Sequence, residues 1–444
     1  MAATDQTSRV DPGSDAPAVA DGVDREIITS NQRVFAGGAH LAIATACVLY
    51  TGFHITVMNL YPLETWVYRL SHVTGGLMLG FLLYSAVVFP DHRPVARGRS
   101  ALEWLFLAAA AALIGLALVS VLTAVITGER VRMGVAPDYL VPTFGWPIMA
   151  GTALAVLAGW VFPDRDRGRL ALADALLALA ALAVGIYIIA HAEFLRNRAG
   201  VFPHANDMWA AIAGIVLILE LTRRLAGLAL VIIVAVFVAY GFAGPWLPGF
   251  LNHAGYAPQR FFARIYTDIG VLGPTTAVSS TYIILFITFA AFLQASRVGE
   301  YFINFAFAAA GGARGGPAKV AVFGSGLMGM INGTSAGNVV STGSLTIPLM
   351  KKVGYKPQTA ASVEAAASSG GQILPPIMGA GAFIMAEITG IQYREIVIAA
   401  IIPAVLYFVS VYFMVDKEAL KKGMRGLPRS ELPRFDVMAR QAYL

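Results

Sequence analysis

The sequence has 444 residues, of which 57% are hydrophobic and only 13% are charged, and its mean hydropathy is +0.68. Soluble domains carry about 45–50% apolar and about 25% charged residues, so this composition excludes a soluble enzyme and a disordered or fibrous protein. We predict an all-α polytopic membrane protein, because in such a bundle only helices satisfy every backbone amide within lipid. The net charge of +6 comes from basic residues in short loops between apolar runs, which indicates membrane topology rather than a nucleic-acid partner.

The first part of the chain holds a polar tail and seven apolar runs. Residues 1–33 are acidic and lack the basic start and apolar core of a secretory signal, so we predict a disordered cytoplasmic tail. Apolar runs of spanning length follow near residues 35–51, 69–89, 103–126, 146–162, 170–191, 207–221 and 225–243. The single cysteine, Cys47, permits neither an intrachain disulfide nor a cysteine-based metal site.

The loops between these runs predict the orientation of the chain. Eight arginines lie in the loops after the second, fourth and sixth runs, and only four lie in the loops after the first, third and fifth. The positive-inside rule then places the N-terminus in the cytoplasm and residues 52–66 on the opposite side. Glu220 ends the sixth run beside Arg223 and Arg224, where we expect a solvated ion pair.

Two stretches rich in Gly, Ser, Thr and Asn interrupt the apolar sequence beyond Gly244. Residues 329–338 read GMINGTSAGN, and residues 367–376 read ASSGGQILPP. Within a helix a glycine costs roughly 1 kcal/mol and a proline about 3 kcal/mol, so neither stretch suits a continuous lipid-facing helix. We predict a re-entrant hairpin over residues 318–350 and a broken helix over 358–388, because freed backbone groups at membrane depth must face a partner, water or an ion. Close packing of small residues is the competing interpretation.

Discontinuous helices of this kind build ion sites at membrane depth, since free carbonyls and helix C-termini attract cations. We predict one Na⁺ site between the hairpin tip and the break, with no other cofactor and no catalytic residue. Its candidate ligands are Asn332, Thr334, Ser335, Asn338, Ser368, Ser369, Gly370, Gly371 and Gln372. Glu364, Pro375 and Pro376 are candidates for substrate contact or coupling. Glu364 lies one turn before Ser368, where it can orient the site, carry a coupled proton or pair with a lysine.

The same region resembles a known family. Residues 343–357 read GSLTIPLMKKVGYKP, and this segment, followed by AAASSGGQILPP at 365–376, resembles the large permease (DctM-like) subunit of TRAP transporters. The Gly-Gly-Gln form, with GGPAK at 315–319, is most similar to fused permeases that pair with TAXI-type binding proteins. The resemblance extends over about residues 207–433. Residues 34–165 resemble the small four-helix (Q-type) subunit by position and span count, and residues 166–243 are expected to be connecting spans.

The resemblance implies secondary, Na⁺-coupled uptake of an organic anion such as a carboxylate across a bacterial inner membrane. It also implies a partner, a periplasmic TAXI-type substrate-binding protein. Large subunits of this family have two inverted repeats, each with a hairpin and a broken helix. Here one repeat is recognisable, at 244–416, followed by a basic cytoplasmic tail at 417–444. We therefore expect either a partial chain or another polypeptide segment that carries the second repeat.

Two other classes of protein compete with a permease. Residues 333–337 read GTSAG and match the nucleophile elbow of serine hydrolases, but that triad requires a histidine after the serine and none follows Ser335. A non-transporting assembly or scaffold subunit would explain the spans but not two polar discontinuities at membrane depth. The sequence holds no P-loop, so an ATP-driven pump is not supported. We predict a transporter component and not an enzyme.

Overall fold

The computed structural model describes residues 30–89, 99–129, 139–267, 269–296, 298–428, 430 and 432–433. Its regular structure in these ranges is helical, without a β-strand. The α-helices are α1 (Gly37–Asn59), α2 (Thr65–Leu83), α3 (Ala101–Ile126), α4 (Trp146–Val161), α5 (Leu172–Arg198), α6 (Ala205–Ala226), α7 (Leu228–Ala243), α8 (Pro258–Ile265), α9 (Pro274–Val278), α10 (Ile284–Ala295), α11 (Val298–Ala310), α12 (Gly316–Asn332), α13 (Ser335–Lys352), α14 (Pro357–Gly370), α15 (Ala380–Thr389) and α16 (Tyr393–Lys421). Short π-helical turns at Val141–Gly145 and Ser279–Ile283 precede α4 and α10.

The helices confirm a polytopic membrane protein. Within the described ranges, eight helical segments are long and apolar enough to cross a membrane. Helix α7 shows this most clearly, because Gly241 is its only buried residue although its sequence is apolar all round. A helix that exposes apolar side chains on every face is stable in lipid rather than in water.

The two largest hydrophobic cores hold most of the helices together. The larger core lies among α2 to α6 and includes the fully buried Phe81, Ile114 and Tyr187. The second core joins α12, α13, α14 and α16 around small side chains such as Ala318, together with Met350. Small residues let helix backbones approach closely, which favours helix association within lipid.

Charged side chains near the ends of α5 and α6 form a buried network. Asp174 accepts hydrogen bonds from Arg33 and from Arg224, whose Nη1 lies 2.7 Å from Asp174 Oδ1. Glu220 binds Arg224 at 2.7 Å and Arg223 at 2.8 Å. Only 3% of Glu220 is exposed, so the expectation of a solvated ion pair is wrong. The reason is that Arg33 and Asp174, distant in sequence, pack over the end of α6.

Several expected boundaries also change. Helix α5 continues to Arg198, so Arg196 and Arg198 belong to its last turn, where Arg196 pairs with Glu64 and Arg198 pairs with Asp207. Cationic side chains are favourable at a helix C-terminus, which explains the extension. Helix α16 runs through Lys421 into the predicted tail. Most of the predicted N-terminal tail (1–29), the basic loop at 90–98, the loop at 130–138 and the C-terminal segment 434–444 lie outside the described residues.

Candidate functional site

The predicted hairpin is formed by α12 and α13. Gly333 ends α12 in the left-handed region at φ 64°, and its N–H donates to the Gly329 carbonyl at 3.0 Å. Glycine is the usual residue in this conformation, because it has no Cβ to clash with the backbone. Thr334 is extended, and α13 starts at Ser335. The hairpin spans Gly316–Lys352, slightly longer than the predicted range of 318–350.

The predicted broken helix is formed by α14 and α15. A single 3₁₀ turn, Gly371–Ile373, follows α14, and residues 374–379 are not helical. The second helical half begins at Ala380, so the interruption takes up residues 371–379 of the predicted range 358–388. Pro375 and Pro376 have no N–H to donate, so they cannot form the interior of a helix. The loop closes where the Gly379 N–H donates to the Gln372 carbonyl at 2.7 Å.

The hairpin and the break touch at two glycines. A Cβ placed on Gly329 would lie 2.6 Å from the Cα of Gly371, a separation that real Cβ atoms do not show. A Cβ on Gly333 would lie 2.8 Å from the Met378 carbonyl oxygen. Backbone therefore lies directly against backbone, which brings the ends of α12 and α14 together with the starts of α13 and α15. Two helix C-termini carry partial negative charge and two N-termini carry partial positive charge at this point.

Glu364 lies at the centre of the contact between α12, α13 and α14. Its side chain is fully buried, and its Oε1 accepts hydrogen bonds from Ser325 at 2.5 Å and from Ser368 at 3.0 Å. Thr342 also donates to Oε1 at 2.5 Å, and Thr346 donates to Oε2. Every hydrogen bond that Glu364 accepts in the described part of the chain comes from a hydroxyl, so its expected alternative of pairing with a lysine is not observed.

Asn338 in α13 contacts Ser325, one of the residues that donate to Glu364. Its Nδ2 donates to the Ser325 carbonyl at 2.7 Å, and its main-chain carbonyl accepts from the Ser341 hydroxyl at 3.0 Å. Its side-chain Oδ1 is buried and has no hydrogen-bond partner among the residues that the structure describes. A buried acceptor without a donor is costly, and it is suited to a cation.

The other predicted ligands lie at different depths. Gln372 donates to Ser335 at 3.1 Å across the hairpin tip, and Ser368 is buried against Glu364. Asn332 and Thr334 line a small cavity of about 60 Å³ between the tip and the start of α15. Ser369 lies on the exposed face of α14, where its hydroxyl donates to the Ala365 carbonyl at 2.8 Å. Ser368 therefore lies next to Glu364 and Gln372 contacts the hairpin tip, whereas Ser369 faces away from both.

The remaining candidates have packing contacts. Gly370 lies against the aromatic rings of Tyr407 and Phe408 in α16. Pro376 follows a cis peptide bond, and its carbonyl accepts a hydrogen bond from Tyr393 at 3.0 Å. Gly371 forms the contact with Gly329 described above.

The sequence-based prediction missed three of the residues whose hydroxyls donate to Glu364: Ser325, Thr342 and Thr346. A signal for two of them exists in the sequence, because Asn338, Thr342 and Thr346 are spaced by four along α13 and therefore share one helix face. Ser325 has no such signal. It reaches Glu364 only because the hairpin folds α12 beside α13.

The other end of the hairpin is held by an ion pair. Lys319, near the start of α12, is buried and donates to Asp416 of α16 at 2.7 Å. Arg314 binds the second carboxylate oxygen of Asp416 at 2.6 Å. The hairpin is thus anchored by charge at its base and by backbone contact at its tip.

A membrane bundle with an intramembrane hairpin, a broken helix and buried oxygen atoms between them defines a membrane transport protein. Comparison with known proteins gives the family. Residues 213–444 match the family model described as "Tripartite ATP-independent periplasmic transporter, DctM component". The match covers more than half of the chain, which therefore belongs to the DctM family of TRAP transporter permeases, and this is a family of transporters rather than enzymes.

Two relatives are similar over part of the chain. The C4-dicarboxylate TRAP transporter large permease protein DctM of Pseudomonas aeruginosa is 29% identical over 157 residues, which are 35% of this chain and 36% of that protein. The protein y4mL of Sinorhizobium fredii is 24% identical over 174 residues, which are 39% of this chain and 40% of that protein. The chain thus matches well under half of the length of either relative.

Proposed function

We propose that this chain is the permease component of a binding-protein-dependent secondary transporter that imports an organic anion, driven by a Na⁺ gradient. The observation that carries the proposal is the buried Oδ1 of Asn338, which has no hydrogen-bond partner among the described residues. Asn338 and the buried Glu364 both contact Ser325 where the hairpin packs against α14. Hard cations bind oxygen ligands, and a carboxylate with neutral neighbours supplies the charge that a cation requires.

The substrate is proposed to be a carboxylate. The Pseudomonas relative is named for C4-dicarboxylates, and the α13 and α15 N-termini meet beside the small cavity at the hairpin tip. Helix N-termini attract anions through their free N–H groups and their partial positive charge. An organic anion can therefore bind at the hairpin tip while the cation is bound by the oxygen atoms of Asn338 and Glu364.

Partners and location follow from the same proposal. A periplasmic substrate-binding protein of the TAXI type would deliver the anion, and a segment carrying the second transport repeat would complete the translocation path. The chain would lie in the bacterial inner membrane with a cytoplasmic N-terminus, and residues 34–165 would act as a fused small subunit. Reporter fusions at Ser100 and Pro62 test this topology, because they should report opposite sides of the membrane. Signals from the same side would contradict it.

Proton coupling through Glu364 is the second candidate, and a specific observation favours it. Glu364 is buried among hydroxyls with no arginine or lysine in its hydrogen-bond group, and such a carboxyl group can bind a proton in place of a cation. The two candidates predict different driving forces for the same site. Both require Glu364, but only the Na⁺ proposal requires the Asn338 oxygen.

Uptake by proteoliposomes that contain the complete transporter and its binding protein distinguishes them. An inward Na⁺ gradient at equal pH should drive uptake, and Asn338→Ala should raise the Na⁺ concentration needed for half-maximal uptake about tenfold or more. Accumulation driven by a pH gradient without Na⁺ would instead support the proton candidate. Absence of uptake under both gradients, with the binding protein shown to dock, would refute secondary transport and favour an assembly or scaffold role.

A further inference from the structure

A partly buried chain of hydrogen bonds through two histidine rings connects α1 and α2 to the π-helical turn Ser279–Ile283. The Nε2 atom of His54 lies 2.8 Å from the Nδ1 atom of His72, and the Nε2 atom of His72 lies 2.9 Å from the hydroxyl oxygen of Ser279. At the other end, the Nδ1 atom of His54 lies 2.7 Å from the Tyr50 carbonyl oxygen. His54 is fully buried in a helix long and apolar enough to span the membrane. Ionisable residues at such positions are rare and are usually functional.

The contacts determine where the hydrogens lie when both imidazoles are neutral. A carbonyl oxygen can only accept, so the Nδ1 atom of His54 carries a hydrogen and its Nε2 atom is an acceptor. The Tyr50 hydroxyl lies 3.0 Å from the Nδ1 atom of His72, but its hydrogen is donated to the His72 carbonyl at 2.8 Å. The Nδ1 atom of His72 therefore donates to His54, which leaves the Nε2 atom of His72 as the acceptor for the Ser279 hydroxyl. The hydrogen bonds between the two rings therefore run in one direction, from His72 to His54. The Nε2 atom of His72 is the acceptor that faces the π-helical turn.

We infer that His54 and His72 together form a binding site for one proton that joins α1 and α2 to the span Pro274–Leu293. The added proton forms an N–H bond at the Nε2 atom of His72, and the Ser279 hydroxyl rotates from donor to acceptor, so no other covalent bond changes. A second proton is excluded, because two imidazolium rings would place N–H groups against each other across 2.8 Å. The pair therefore titrates as a single unit.

The surroundings of the pair can accommodate one positive charge. The added charge lies on the His72 ring, which stacks against the Tyr50 ring with centroids 6.1 Å apart, and an aromatic face stabilises a cation at about this distance. Arg69, the nearest arginine in sequence, instead donates to the Leu272 carbonyl at 2.7 Å. Helices α9 and α10 contain no charged residue, and the ion pairs of α5 and α6 involve other side chains.

Protonation would strengthen the junction between the two parts of the chain. The Tyr68 hydroxyl already donates to the Ser280 carbonyl at 2.5 Å, beside the contact between His72 and Ser279. A hydrogen bond from an imidazolium is roughly twice as strong as one between neutral groups. A π-helical turn within a span frequently marks a functional site, and here it is the element that receives both bonds. Acidification should therefore hold α2 more firmly against Ser279–Ile283.

The test is the ¹⁵N NMR titration of histidine-labelled full-length chain in lipid nanodiscs, between about pH 4 and about pH 9, which brackets the usual histidine value. His54 and His72 signals should change together, with a total of one proton bound. Ser279→Ala should lower the proton affinity of the pair about tenfold, equivalent to one pH unit in the midpoint. Ser279→Thr keeps a hydroxyl and should restore the midpoint.

His191→Gln is the matched control, because the Nδ1 atom of His191 also lies 2.7 Å from a carbonyl four residues earlier in a buried helix. This variant should leave the titration of the pair unchanged. Two results would overturn the inference: His54 and His72 staying neutral over the whole range, or each binding its own proton. A midpoint that does not respond to Ser279→Ala would also overturn it, because the π-helical turn would then take no part.

Discussion

The two groups of buried carboxylates in this molecule differ in what surrounds them. Asp174 in α5, and Asp207 and Glu220 in α6, are bound by arginine side chains. Glu364, in α14, accepts only hydroxyl hydrogen bonds among the residues that the structure describes. Both groups lie in apolar surroundings and both are almost fully buried. The difference is the charge of the partner.

The charge of the partner determines what a buried carboxylate can do. An arginine neutralises the carboxylate permanently, because it cannot release its proton in a protein, so Asp174 and Glu220 hold helices together and cannot exchange ions. A hydroxyl can donate to the carboxylate or turn its oxygen toward a cation. The residues around Glu364 can therefore bind and release a cation while their helices stay in place. The contrast separates a structural half, α2 to α6, from a hairpin region that is suited to transport.

Neutralising Asp174 should have the largest effect. Asp174→Asn leaves Arg33 buried without its carboxylate and Arg224 with Glu220 alone, which should lower the free energy of unfolding by about 3–5 kcal/mol. Thermal unfolding in detergent measures the loss. Asp166→Asn is the control, because the Asp166 pair with Arg169 is well exposed and should contribute no more than about 1 kcal/mol. Equal losses for both variants would mean that burial does not distinguish them.

Adding a methyl group where the hairpin contacts the broken helix should have the next largest effect on stability. Gly329→Ala places a methyl group against the backbone of Gly371, where no flexible side chain can move away, and should cost about 1–3 kcal/mol. Gly381→Ala is the control, since its Cβ would meet no atom within 4 Å. The unfolding temperature of each purified variant measures the difference. A Gly329→Ala protein as stable as wild type would show that the two segments are not in backbone contact.

Neutralising Glu364 should have a smaller effect on stability. Glu364→Gln keeps the shape of the side chain. With the amide nitrogen in the Oε2 position, the Thr346 hydroxyl can accept from it and donate to the Thr342 carbonyl, while the remaining oxygen keeps its hydroxyl donors, so we expect a change within about 1 kcal/mol. The same measurement as for Asp174→Asn tests the contrast directly. A loss as large as that of Asp174→Asn would mean that Glu364 also has a fixed charged partner.

An exposed carboxylate paired with an arginine should have the smallest effect. Burial raises the pKa of Glu64, but hydrogen bonds from the Val67 and Trp66 N–H groups and the Arg196 guanidinium outweigh it and lower the pKa below its usual range. The stabilisation is therefore present above the unfolded-state pKa of about 4.3 and is lost as the pH falls through the lower folded-state value. Glu64→Gln should remove this pH dependence, at a cost below about 1 kcal/mol because the side chain is exposed. A variant whose unfolding keeps the wild-type pH profile would contradict it.

The sequence predicted the hairpin and the break because glycine and proline act locally on the backbone. It did not predict the start of α15 at Ala380, since the residues between Pro376 and Gly379 include apolar side chains that also suit a helix. It placed Glu220 in solvent because Arg33 and Asp174, which complete the network over α6, are far away in sequence. Ser325 was missed for the same reason, as tertiary contacts cannot be obtained from helical spacing.

The central claim is that the oxygen atoms between the hairpin and the broken helix bind Na⁺, and thermal unfolding of the full-length chain at increasing Na⁺ tests it directly. With choline replacing Na⁺ at constant ionic strength, wild type should be stabilised by about 1.4 kcal/mol at a Na⁺ concentration ten times the Kd. Asn338→Ala should lose this Na⁺-dependent shift, measured against its own Na⁺-free baseline. Ser369→Ala should keep the shift, because Ser369 faces away from the site. The absence of any Na⁺-specific shift in wild type, or an undiminished shift in Asn338→Ala, would contradict the claim.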